Sequence, residues 1–115
     1  MVPGAGPGRH RATGRAFGMA TEVADAPRSK RYEIRVDGEA AGFAEYILTD
    51  GLITFTHTEI DPGHEGRGLG GILVRGALDD VRGRGLDVLP MCPFVKGWIQ
   101  RHPDYADLLY RPARG

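Results

Sequence analysis

The order of patterns along this chain predicts an α+β domain: a mixed, mostly antiparallel sheet, a central helix following a glycine loop, and a C-terminal helix. Three observations carry the prediction. Between residues 32 and 60 apolar and polar positions alternate and are twice interrupted by Asp-Gly, which is how strands joined by tight hairpins read. Between 68 and 83 the apolar period changes to that of a helix. A short apolar run at 86–91 then follows, and a helical crossover returns such a strand parallel to the one before it.

Taken in order, residues 1–29 hold repeated Gly and Pro, few large apolar residues and no periodicity. They bury too little surface to offset their ordering entropy, so a disordered tail is expected there and a folded domain over 30–112. Met19, followed by Ala-Thr-Glu, reads as an alternative start. Tyr32, Ile34 and Val36 alternate with Glu33, Arg35 and Asp37, and Asp37-Gly38 makes the first turn. A second strand is expected over 40–48, a turn at Asp50-Gly51, and a third strand over 52–60, rich in β-branched and aromatic residues. Strict alternation places His57 on one face of that strand with Ile53, Phe55 and Glu59.

The loop 61–68 opens a helix over 68–83. Leu69, Leu73, Val74, Ala77, Leu78 and Val81 form its apolar stripe, with Arg75, Asp79 and Arg82 opposite. Gly83 and Gly85 end it, and residues 86–91 form the fourth strand. Phe94, Val95, Trp98, Ile99 and His102 then fall at helical spacing, Pro103 breaks the run, and Tyr105, Leu108 and Leu109 add one more apolar turn.

The chain of 115 residues fits one domain, with 41% hydrophobic and 26% charged residues and no apolar run approaching the ~20 of a membrane span. Its single cysteine excludes an internal disulfide, and the first twenty residues hold nothing like a signal peptide. A cytoplasmic monomer is expected. The formal net charge of zero conceals an asymmetry: residues 1–31 carry six Lys/Arg against Glu22 and Asp25, and the remainder nine against thirteen acids. Positive charges diluted among Gly, Pro and Ala read as a solvated tail rather than a specific nucleic-acid surface.

The densest signal is Glu65-Gly66-Arg67-Gly68-Leu69-Gly70-Gly71 at the mouth of the first helix. A pyrophosphate needs converging backbone N–H groups, no obstructing Cβ atoms and the positive end of a helix, and this loop supplies all three. Gly66, Gly68 and Gly71 also satisfy the dinucleotide pattern G-x-G-x-x-G. A Rossmann unit places that loop after the first strand of a parallel unit, whereas an antiparallel meander precedes it here. A Walker loop requires Gly-Lys-Ser/Thr, and Gly71 is followed by Ile72-Leu73.

Asp61-Pro62 through Glu65-Gly66-Arg67-Gly68-Leu69-Gly70-Gly71-Ile72-Leu73-Val74 resembles the acyl-CoA-binding signature of the GNAT N-acetyltransferase superfamily, (Gln/Arg)-x-x-G-x-(G/A). Glu65 departs from the first position of that signature. Thr56-His57-Thr58-Glu59 and the stretch from Leu89-Pro90-Met91-Cys92 to His102-Pro103-Asp104-Tyr105 narrow the resemblance to its minimal single-domain members, over about residues 32–110. The resemblance implies a sheet splayed open beside the glycine loop and acetyl-CoA or another acyl-CoA as cofactor, bound by Glu65 to Gly71. It also implies a primary amine as acceptor, on a small molecule or a protein lysine, and His57 and Cys92 as the catalytic pair.

The residues make that implication chemically coherent. A lysine-like amine is protonated near neutral pH and must lose a proton before it attacks, and an imidazole suits that task. The bland alternative for His57 is a half-buried histidine bonded to a carbonyl. Cys92, flanked by Pro90 and Pro93 at the start of the last helix, has three roles open to it: acid toward the departing thiolate, acyl carrier, or small buried hydrophobe. A non-catalytic acyl-CoA-binding or sensing module is the alternative to an enzyme. His57, His64, Cys92 and His102 lack paired ligand spacing, so no metal is expected.

Overall fold

The computed structural model describes residues 11–16 and 19–112. These residues form one six-stranded sheet whose strands lie in chain order: β1 (Arg11–Ala16), β2 (Met19–Ala26), β3 (Arg31–Val36), β4 (Glu39–Thr49), β5 (Leu52–Ile60) and β6 (Asp87–Pro90). Pairing is antiparallel from β1 to β5 and parallel between β5 and β6. The crossover between the last two is helix α1 (Leu69–Gly83), and α2 (Pro93–Arg101) with a 3-10 turn over Pro103–Leu108 closes the domain. The α+β class, the mixed sheet and both helices are as expected. At the first hairpin Asp37 and Gly38 both take positive φ, 50° and 84°, as a two-residue turn matching the strand twist requires.

The α1 stripe Leu69, Leu73, Val74, Ala77, Leu78 and Val81 is at most 1% exposed and packs on Tyr32, Ile34, Ile53 and Phe55 of the sheet. No described helix is long and apolar enough to cross a membrane.

The tail expected over 1–29 is corrected where the structure describes it. β2 pairs with β3 from Thr21↔Val36 to Ala26↔Arg31, and Thr21 and Val23 are each 2% exposed. Residues 1–10 and 17–18 lie outside the described residues. The alternation Thr21, Val23, Asp25 was present in the sequence, but two of its three inward positions are polar, and only the tertiary fold gives Asp25 its partners. Its carboxylate accepts the Tyr46 hydroxyl at 2.6 Å and pairs with Arg84 at 3.1 Å. Arg84 also reaches Asp80 at 3.0 Å, and Asp80 accepts the Tyr32 hydroxyl at 2.6 Å. Burial first, then the hydrogen bond and charge of each carboxylate, raise both phenols above the ordinary tyrosine range.

β2 also fixes a residue of α1. A Cβ at Gly76 would stand 2.8 Å from Val23 Cβ and 2.9 Å from its Cγ1, so helix and strand touch where only glycine fits. Gly76→Ala is expected to destabilise the domain by about 1–3 kcal/mol through overpacking, although helix propensity favours alanine by about 1 kcal/mol. In a Val23→Ala background the same change should be neutral or stabilising, and urea unfolding of the four proteins reads that coupling.

One irregularity decides the geometry of β5. Glu45 pairs with His57 but the next β4 residue, Tyr46, pairs with Phe55, leaving Thr56 as a bulge of one extra residue.

Candidate active site

β6 accompanies β5 only from Leu52↔Asp87 to Phe55↔Pro90. There the Phe55 carbonyl accepts two backbone N–H groups, from Met91 at 3.0 Å and Cys92 at 2.9 Å, and the chain turns away into α2. β5 runs on to Ile60, so a wedge opens beside residues 56–60. The glycine loop and the first turn of α1 face that wedge. Together they enclose a cleft of about 400 Å³ lined by Thr58, Ile60, His64, Glu65, Gly66, Gly68, Leu69, Gly70, Gly71 and Phe94.

The loop begins with a 3-10 turn over Pro62–His64 and reaches the helix through Gly68, the N-cap, at φ 72°. No side chain caps the helix. The first intrahelical bond runs from the Ile72 N–H to the Gly68 carbonyl at 3.3 Å. The N–H groups of Leu69, Gly70 and Gly71 precede it and are the donors that a helix start offers to an anion. A Cβ at Gly70 would lie 2.7 Å from the Phe94 ring, so this glycine lets the aromatic wall close on the helix mouth. Six of the seven residues expected to hold the cofactor line the cleft; Arg67 lies exposed beside it.

The bulge at Thr56 corrects the expected facing of His57. Phe55 shares the buried face with Tyr46, but one extra residue restores Thr58 and Ile60 to that face, opposite Ala44 and Gly42. His57 and Glu59 point to the other side, in register with Glu45 and Phe43. The His57 side chain is 53% exposed, its Nε2 lies 3.1 Å from the Glu59 carboxylate, and its ring centroid is 6.1 Å from that of Phe43.

Cys92 is 4% exposed, and its Sγ lies 3.3 Å from the Thr58 hydroxyl. No hydrogen bond joins it to His57. Thr58 is the link, since it both lines the cleft and touches the thiol. Thr58, Ile60, His64 and Phe94 were not picked out as cleft residues from the sequence. Only a bulge-aware register would have turned Thr58 and Ile60 inward. In the sequence Phe94 is indistinguishable from the other apolar positions at helical spacing. His64 is 13% exposed at its side chain, and its Nε2 lies 3.4 Å from Glu39. His102 stacks on Trp98, ring centroids 3.8 Å apart. Among the described residues, no three of His, Cys, Asp and Glu gather as a metal site.

A family model described as GCN5-related N-acetyl-transferase matches residues 31–108, from the start of β3 to the end of the last 3-10 turn. The chain belongs to this GCN5-related family. It is 38% identical over 66 residues to a streptothricin acetyltransferase of Streptomyces lavendulae. The match takes in 56% of this chain but only 35% of that relative, so the chain spans about a third of its length. The solution structure of a GCN5-like protein from Staphylococcus aureus superposes with a TM-score of 0.59 at 19% identity, covering 80% of this chain and 90% of the other. That likeness shows the GCN5-related fold. A ribosomal-protein-alanine N-acetyltransferase from Brucella melitensis superposes more loosely, with a TM-score of 0.48 at 18% identity over 89% of this chain and 67% of its own.

The burial of Cys92 has a direct consequence. Its reaction with a bulky aromatic disulfide reagent under native conditions should be slower than that of the unfolded chain by at least roughly a hundredfold, since attack requires local opening. The chain's single thiol makes the absorbance trace unambiguous.

Proposed function

We propose that this GCN5-related protein is an N-acyltransferase that moves an acetyl group from acetyl-CoA to a primary amine by direct transfer. The observation that supports it best is the helix mouth of Leu69, Gly70 and Gly71, whose backbone donors open on the same cleft as Thr58, the neighbour of Cys92. The pyrophosphate would rest on those amides, at the positive end of α1. The β5 edge beyond Phe55, which β6 no longer pairs, would receive the extended pantetheine arm. When bound, the thioester supplies an activated carbonyl carbon at the splay.

The remaining chemistry belongs to this chain's own side chains. With its Nε2–H donated to Glu59, His57 keeps Nδ1 as an acceptor for the proton the amine must lose. Cys92 is assigned as the acid for the departing thiolate, its proton passing by way of the Thr58 hydroxyl, and ranks lower as an acyl carrier. Glu65 stands at the rim of the anion cradle, where its charge opposes a phosphate; the backbone donors do not depend on it. A second reading, an acyl-CoA-binding or sensing module without turnover, draws on the exposure of His57 and its separation from Cys92.

Acetyl-CoA at a hundred times its Kd should stabilise the chain by about 2.7 kcal/mol, read as a rise in melting temperature. Release of free CoA with amines present is the measure of turnover. His57→Ala should lower kcat by about 10²–10⁴, and Cys92→Ala should also lower it. Binding without CoA release would establish the sensing reading, and turnover indifferent to both substitutions would remove the assignment of these two residues.

A further inference from the structure

The end of β5 separates two clefts. Thr58 and Ile60 line the first; Glu59 and Asp61, the alternate residues, line a second of about 210 Å³ on the open face of the sheet, together with Arg31, Glu33 and Phe43. Register builds this face in rows across three strands: Glu33, Phe43 and Glu59 in one, Arg31, Glu45 and His57 in the next. Resting on the acetyl-transfer reading above, we propose that this second cleft is the acceptor site and that the acceptor is an alkylammonium, its positive charge between Glu59 and Asp61 and its alkyl stem against Phe43.

The charges of the cleft select for that class. Glu33 is answered twice, by Arg31 at 2.9 Å and Arg35 at 3.1 Å. Glu59 pairs with His57, which is charged only when protonated. Glu59 and Asp61 thus leave the cleft negative toward its β5 side, where a cation gains and a carboxylate or phosphate is repelled. Phe43 already receives one cation, the Arg31 guanidinium 4.6 Å from its ring centroid, which shows the ring in use as an apolar, cation-tolerant surface.

This placement accounts for the distance between His57 and Cys92. His57 shares the open face with the second cleft, and Cys92 meets the first cleft through Thr58. In the transfer, an N–H proton of the ammonium passes to His57 Nδ1, the freed nitrogen bonds to the thioester carbonyl carbon, and the C–S bond breaks. The thiolate then takes a proton relayed from Cys92 through Thr58, and the second proton that the nitrogen sheds as the amide forms restores the Cys92 thiol. The proton leaves on one face of β5 and is returned on the other.

The test is a titration of the full chain followed by amide nuclear magnetic resonance, with spermidine in one arm and a short peptide carrying a single lysine in the other. Saturable shifts are expected at Phe43, Glu59 and Asp61, weakened roughly tenfold or more in Glu59→Gln and Asp61→Asn, as loss of a charged hydrogen bond implies. The same peptide with its lysine acetylated should give no shifts. Glu59 is exposed, so its variant should keep the dispersed spectrum of the parent. Saturation by spermidine alone identifies a free polyamine, and by the peptide alone a protein lysine. The proposal is overturned by the absence of shifts at millimolar amine, by shifts mapping elsewhere, or by affinities unchanged in both variants. Melting curves with acetyl-CoA run in parallel: amine shifts without a cofactor response would sink the transfer reading and keep the amine site, and the reverse would sink only the amine site.

Discussion

The carbonyl of Phe55 sets the geometry on which the candidate site depends. It accepts the N–H groups of both Met91 and Cys92, so the parallel ladder with β6 ends there. Its two lone pairs are then committed to one short turn. The departing chain carries Cys92 into the α2 N-cap, and β5 continues alone with one edge open. A sheet that stayed paired to Ile60 would have no wedge, and the glycine loop would face a closed ladder instead of a cleft.

The rigidity that keeps this wedge in place comes from elsewhere in the molecule. Two tyrosines from adjacent strands, Tyr32 and Tyr46, each give a hydroxyl to a carboxylate, and Arg84 spans both carboxylates from the end of α1. The network ties β2, β3 and β4 to the C-terminal end of the helix whose N-terminal end opens on the cleft. Farther along, Tyr105 donates to Asp79 at 2.7 Å and receives Arg75 at 3.2 Å, fastening the last 3-10 turn to the same helix. α1 is therefore held along its length, and its first turn is free of any side-chain cap.

Most of the fold was legible because local and tertiary preferences agree. Asp37-Gly38 turned as two positive-φ residues must, and the stripe from Leu69 to Val81 is buried as its spacing demands. Two features were not legible, each for a physical reason. β2 escaped because Thr21 and Asp25 take inward positions that only distant partners make tolerable. The facing of His57 escaped because a bulge is a property of two strands together: Thr56 is extra only relative to Glu45 and Tyr46, and no pattern within β5 records it. The glycine-rich helix start was legible as an uncapped set of backbone donors, and the walls of the cleft it opens on, Thr58 and Phe94, were not.

The bulge gives β5 a reading frame. Upstream of Thr56 the odd-numbered residues Ile53 and Phe55 face the core; downstream the even-numbered Thr58 and Ile60 do. With Thr56 taken into the ladder opposite Glu45 the chain would keep its composition, its glycines and its hairpins, yet Glu59 and Asp61 would exchange sides with Thr58 and Ile60. Two carboxylates would then confront the backbone donors of α1, and two uncharged side chains would line the open face. Removing the threonine outright would instead leave Phe55 opposite Tyr46 and His57 opposite Glu45 as they stand, so the polarity of both sides of the strand depends on Thr56, a residue with no chemistry of its own here, staying outside the ladder.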